Sequence, residues 1–222
     1  MQNYELTIEN GVITWIKDND ANGHKIPGIL YIPKEVVGFS GGALAHLGCE
    51  VEGIVVHKNN PELSSAHNCL LTKNGKKLLM TCKNSDVCQL SGLKVIGRDA
   101  FWGLNTDREE FILRIPDGVE VLDYRAFEIF ARRVEIIVPA SVIYVNLLAF
   151  MIHSQHTHII FEGDPHLQIG TFGTAAEAQH SGFEVYQKMP AVLYPKAENI
   201  TVTCQSGGKV SQYCKEYGIP EV

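Results

Sequence analysis

Residues 111–150 read FILRIPDGVEVLDYRAFEIFARRVEIIVPASVIYVNLLAF, and the stretch repeats itself. Ile115-Pro116, Val119, Val121-Leu122 and Ala126-Phe127 recur as Val138-Pro139, Val142, Val145 and Ala149-Phe150. Prolines and phenylalanines are each displaced by 23 residues. Fixed-period self-similarity marks a stacked-repeat architecture, because one such unit cannot bury its apolar face alone. Ile32-Pro33 with Val36, Val37, Ala43 and Leu44 fits the same template. Leu93 to Phe101 supplies the second half of another copy. A degenerate copy runs from Ile159-Ile160-Phe161 to Ile169-Gly170-Thr171-Phe172.

Each slot has a mechanical reading. Phe111, Leu113 and Ile115 alternate, as do Val134, Ile136 and Val138, which predicts a half-buried strand before each proline. Proline cannot donate to a ladder and ends the strand. The later Val and Leu/Val positions predict a second short extended segment. The small alanine lets neighbouring coils approach, and the phenylalanine fills the space between them.

These residues resemble the BspA-like branch of the leucine-rich repeat family, whose units run near I-P-x-x-V-x-x-I-G-x-x-A-F. The resemblance covers roughly residues 30–220. It implies a leucine-rich repeat solenoid: a right-handed superhelix of short strands with short helical or 3-10 turns, β-rich α/β in class. It also implies a β-hairpin insertion at about 59–92 and a helical C-terminal cap. Three slots depart from the pattern: His153 follows Ala149-Phe150 where an apolar residue or cysteine is usual, and Glu110 and Arg133 stand where leucine is frequent. Residues 173–195 fit no unit.

Outward from the repeats, residues 1–30 read as an N-terminal β cap. Tyr4, Leu6 and Ile8 alternate, and Asn10-Gly11 marks a tight turn before Val12, Ile13 and Trp15. The solenoid is expected over 31–185. In the insertion, Asn74-Gly75 is expected to form a type I′ turn. The C-terminal cap is expected over 186–222, with a helix at about 209–217 presenting Val210, Tyr213, Cys214 and Tyr217 on one face.

Composition narrows the function classes. The 222 residues carry 19 Lys and Arg against 25 Asp and Glu, a net charge of −6, which disfavours binding to nucleic-acid phosphates. The uncharged run Ile136–Ile152 is shorter than a spanning helix needs and contains Pro139, Ser141 and Asn146, so no membrane insertion is expected. The N-terminus shows no basic and apolar leader. The expectation as written is therefore cytoplasmic, and cell surface or secreted if the sequence is truncated. Six cysteines contain no C-x-x-C pair and read as reduced, mostly buried thiols, with pairing of Cys204 and Cys214 left to an oxidising compartment.

The chemistry-bearing residues are few. His153, His156 and His158 form H-x-x-H-x-H, the one pattern with metal-ligand character, but a zinc site needs three or four convergent ligands and solvated histidines are the simpler reading. Cys49 near His46 and Cys69 near His67 lack the arrangement nucleophilic catalysis requires. Ser206-Gly207-Gly208-Lys209 fails the phosphate-loop spacing and reads as a turn. No cofactor, catalytic residue or metal is expected. Arg114, between Leu113 and Ile115, and Glu135, between Val134 and Ile136, should point off the core on the exposed sheet face. They are the candidate binding residues, with plain solvation as the alternative. The expected function is a non-enzymatic protein-binding or scaffolding module. The family resemblance implies a protein or extracellular-matrix-like ligand, and the sequence leaves the oligomeric state open. The alternatives are a Cys/His-based or metal-dependent enzyme and a self-associating structural protein.

Overall fold

The structure, a computed structural model, describes residues 4–18, 28–39, 51–102, 104–105, 109–190 and 194–222. Ala43, Leu44, His46, Leu47 and Cys49 lie outside the described residues. The chain is a β-solenoid of about six turns with little helix. Its register carries the repeat. Glu110–Arg114, Arg133–Val138, His156–Phe161 and Ile200–Thr203 lie side by side in one parallel sheet. Glu110 faces Arg133 and Arg133 faces His156, which is the 23-residue period made physical. Pro139 follows directly after Val138, where its strand stops, and Pro116 stands two residues past Arg114, the end of the preceding strand.

The short segments after the prolines form a second sheet. Val95–Ile96, Val121–Leu122, Tyr144–Val145 and His166–Leu167 pair in parallel. Val95–Ile96 then pairs with Lys77–Met80, the last strand of an antiparallel set that includes Leu63–Ala66 and Cys69–Thr72. That insertion is buried on both faces. Leu70 and Met80 join the N-terminal core with Leu30, Ile32 and Ile54, while Cys69, Leu71 and Leu78 join the solenoid core. Its left-handed pair is His67 and Asn68, with φ of 49° and 58°. The type I′ turn expected at Asn74-Gly75 does not form. Gly75 alone has positive φ there, because Lys73 to Lys76 make a longer loop in which the Asn74 side chain accepts from Thr72 Oγ1 and the Lys76 amide. At the N-terminus, Asn10 and Gly11 both take positive φ between the paired strands Tyr4–Glu9 and Val12–Asp18.

The core is strung on the repeated phenylalanines. Phe101, Phe127, Phe150 and Phe172 stack at centroid separations of 4.9, 5.5 and 5.8 Å. Their amides form a parallel ladder: Phe101 donates to the Ala126 carbonyl, Phe127 to Ala149 and Phe150 to Thr171. Two positions before each ring the backbone is left-handed, at Asp99, Arg125, Leu148 and Gly170. This bend turns the chain inward so that the ring drops into the core. In the coils that carry Phe127 and Phe150, the corners are hydrogen-bonded turns and not the short helical or 3-10 segments expected.

The last coil lacks a following coil to receive its amides, and two side chains take that role. Phe172 N donates to Glu177 Oε1 at 3.0 Å. Gly170 N, equivalent to the Leu148 N that donates to the Gly170 carbonyl, donates instead to Tyr213 Oη at 2.9 Å. Tyr213 Oη in turn donates to Glu177 Oε1 at 2.5 Å. Glu177, fully buried, also accepts from Thr174 N and Thr174 Oγ1, closing a capping box on helix Ala175–His180. Tyr213 comes from helix Lys209–Tyr217, whose Val210, Tyr213, Cys214 and Tyr217 are buried against the solenoid end. That helix begins on Gly208, and Asp164, two coils' edges away in sequence, caps it: its carboxylate accepts from Lys209 N at 2.9 Å and Val210 N at 3.0 Å. A Cβ on Gly208 would lie 2.7 Å from Asp164 Oδ1, so any larger residue there would displace the capping carboxylate. The excursion at 173–195 docks through Ala178 and Met189 on Leu147, Leu148 and Met151.

Candidate binding face

The solvent side of the long-strand sheet follows from strand alternation. With Leu113, Ile115, Val134, Ile136, Val138 and Ile159 turned inward, three outward rows cross the coils. The first holds Glu110, Arg133 and His156. The second holds Ile112, Glu135, His158 and Thr201. The third holds Arg114, Ile137, Ile160 and Thr203.

The charges in these rows pair across coils. Arg114 reaches Glu162 with two nitrogens, at 2.8 and 2.9 Å, in a bidentate fork. The hydrogen bonds and charge of Glu162 raise the Arg114 pKa and keep it ionised. Glu135 Oε2 lies 3.6 Å from His158 Nδ1, and His158 Nε2 lies 2.9 Å from Thr203 Oγ1. Glu110 and Arg133, two of the residues that depart from the repeat pattern, face one another at 3.8 Å. Glu109 and Arg132 do the same at 3.7 Å. These surface pairs add little stability, since exposed ion pairs contribute about 0–1 kcal/mol. Ile112 stands among them 59% exposed.

The structure separates the three histidines. His156 and His158 share the outer face of one strand, but His153 sits at the solenoid corner with its ring stacked on Phe130 at 4.7 Å. Burial lowers the His153 pKa, opposed by the charge of Glu128 and reinforced by that of Arg125. Among the described residues, no group of three His, Cys, Asp or Glu side chains is placed to hold a metal ion. Among the described residues, too, no helix is long and apolar enough to cross a membrane. The run Ile136–Ile152 is divided between the end of one strand, a turn and the strand Tyr144–Val145.

The pKa values of Cys69, Cys82, Cys204 and Cys214 are raised, each chiefly by burial. Burial pushes Cys69 up to about 11, with smaller contributions from Ser85, which lowers it, and Cys82. Burial and then Cys204 push Cys214 up to about 12. Cys204 rises to about 11 through burial and the neighbouring Glu221 carboxylate. Cys69, Cys82, Cys88, Cys204 and Cys214 are all free thiols.

Sequence alternation locates Arg114 and Glu135 on this face but gives no sign of their partners. Glu162 lies 48 residues from Arg114, and only the stacking of coils brings the two together. Ile112 was open to the same reasoning, since it occupies the same parity as Arg114, yet an isoleucine in an apolar run reads as core.

No family model matches the sequence, and no curated protein matches it. Among solved structures, the crystal structure of the pneumococcal vaccine antigen PcpA is similar, with 12% identity and a TM-score of 0.37 over 88% of this chain and 55% of that chain. The present chain thus spans about half the length of that one.

Proposed function

We propose that this chain is a non-enzymatic recognition module of the BspA-like leucine-rich repeat type, which binds a protein or matrix-like partner on the outer face of its long-strand sheet. The observation that carries the reading is the set of outward rows. Ile112, on the edge strand of that sheet, exposes apolar area beside the charged side chains of Arg114 and Glu135. Apolar area bordered by polar side chains is the anatomy of a protein-binding patch. The net charge of −6 favours a protein over a nucleic acid.

Cys69, Cys204 and Cys214 support the same reading over a Cys/His enzyme built on them. A thiol with pKa near 11 is ionised at roughly one part in ten thousand at pH 7, and the thiolate is the nucleophile. The test is photocrosslinking from two exposed isoleucine positions, Ile112 on the long-strand face and Ile143 elsewhere on the solenoid. The same partner should be captured from position 112 and not from 143, and charge reversal at Arg114 and Glu135 should abolish the capture. Equal capture from both positions, or capture that survives the reversal, refutes the proposal.

A further inference from the structure

Between the end of the short-strand sheet and the 173–195 excursion lies a crevice of about 320 Å³. It is separate from the long-strand face. Its floor is a column of polar residues from successive coils, Asp123, Asn146 and Gln168, and its walls include Leu147, Leu148, Phe183 and Met189. A volume near 300 Å³ with apolar walls and a few polar groups suits a small ligand.

The hydrogen bonds show which polar groups are already committed. Asp123 accepts from Lys77 Nζ at 2.9 Å, from Tyr124 N at 2.8 Å and from Asn146 Nδ2 at 3.3 Å. Its charge is met by Lys77. Asn146 uses its oxygen on Leu147 N. Gln168 Oε1 accepts from Tyr144 Oη at 2.9 Å and Leu147 N at 3.3 Å, which orients the amide and leaves its N–H donors without a partner among the described residues. At the other end, the Arg98 guanidinium lies over the Tyr124 ring, 4.8 Å from its centroid; its charge acts at a distance on Asp123 and Asp99, and it forms no close ion pair among the described residues. The crevice therefore presents a positive charge at one end, amide donors at the other and apolar side chains between. Arg98 and Gln168 belong to coils three steps apart, about 14 Å at the spacing of paired strands, and the arginine side chain crosses part of that distance.

We propose that this crevice binds the carboxy-terminal residue of a peptide, or an N-acyl amino acid of the same chemistry, with an apolar side chain. The carboxylate pairs with Arg98, the amide carbonyl accepts from Gln168 Nε2, and the side chain packs between Leu148, Phe183 and Met189. Arginine favours carboxylates because its fork matches two oxygens.

The experiment is titration calorimetry of the full chain with N-acetyl-leucine, N-acetyl-leucinamide, 4-methylpentanoate and a pentapeptide ending in leucine. N-acetyl-leucine and the peptide should bind saturably. The neutral amide should bind about tenfold more weakly, the order expected for a hydrogen bond to a charged group. Arg98→Gln, a change at an exposed side chain, should erase the difference between acid and amide, and Phe183→Ala should weaken both. Absence of saturable binding by N-acetyl-leucine overturns the proposal, as does an acid preference that survives Arg98→Gln. Binding of 4-methylpentanoate as tight as that of N-acetyl-leucine overturns the role of Gln168 and the peptide assignment with it. Binding by N-acetyl-leucine without the pentapeptide identifies the free acyl amino acid as the ligand, and binding by both identifies the peptide end.

Discussion

Replacing Tyr213 by phenylalanine removes one oxygen from the end of the solenoid and keeps the ring, which packs 6.0 Å from Phe172. The buried apolar area is unchanged, so the cost falls on hydrogen bonds. Gly170 N loses its acceptor and is left buried and unpaired, at about 1–3 kcal/mol. Thr171 N, shared between Tyr213 Oη and the Gln168 carbonyl, keeps the second partner and loses less. Glu177, whose pKa burial raises, loses its 2.5 Å donor, at about 0.5–1.5 kcal/mol for a neutral hydrogen bond. The sum is about 1.5–4.5 kcal/mol. At the roughly 2–4 °C per kcal/mol expected for a domain of this size, Tm should fall by about 3–18 °C. Thermal unfolding followed by circular dichroism gives the total, and amide exchange at Gly170 to Phe172 gives its location. If Tm falls by less than about 2 °C, or if exchange rises uniformly and not at these amides, the side chains of Tyr213 and Glu177 do not stand in for a missing coil.

Other outcomes follow from single contacts. Glu177→Gln should cost about 2–4 kcal/mol by the same denaturation assay, because four donors converge on the carboxyl group, two on each oxygen, and the amide nitrogen that replaces one oxygen can accept from neither of its pair. Asp164→Ala should cost about 1 kcal/mol as the loss of a helix cap. Burial alone would raise the Asp164 pKa, but the two amide bonds and Lys209 lower it on balance. The wild-type advantage should therefore be complete above the ordinary aspartate value of about 3.9 and disappear as pH falls through the lower folded value, which urea unfolding at several pH values will show. Gly208→Ala should destabilise wild type and be much milder in the Asp164→Ala background, since the Cβ collides with that carboxylate. Gly97→Ala should cost about 2–4 kcal/mol in chemical denaturation, because its Cβ would stand 2.4 Å from the Leu78 carbonyl oxygen and 2.8 Å from Lys77 Cε, forcing apart strands Lys77–Met80 and Val95–Ile96.

What the sequence reveals is what recurs. The prolines and the Ala-Phe pairs recur every 23 residues, and the fold places Glu110, Arg133 and His156 in register and stacks Phe127 on Phe150 accordingly. Alternation likewise suffices to put Arg114 and Glu135 on the outer face. What it leaves out is what occurs once. Asp164 caps a helix 45 residues further on, and Glu177 and Tyr213 meet across 36 residues, in contacts that join the repeat array to its terminal cap and that no repeated motif announces. The His67-Asn68 turn lies hidden for another reason: local propensity favours Asn74-Gly75, whereas the pairing of Ala66 with Cys69 requires the two-residue turn at 67–68. The crevice, too, depends on residues 173–195, which match no repeat, so the column of Asp123, Asn146 and Gln168 is periodic but the wall that covers it is not.

The central claim is that the long-strand face is the recognition surface, and hydrogen–deuterium exchange of the chain with and without the partner captured at position 112 tests it most directly. Recognition through this face predicts slowed exchange confined to Glu110–Arg114, Arg133–Val138 and His156–Phe161. Protection that falls instead on Val121–Leu122 and Tyr144–Val145, or on neither sheet, contradicts it.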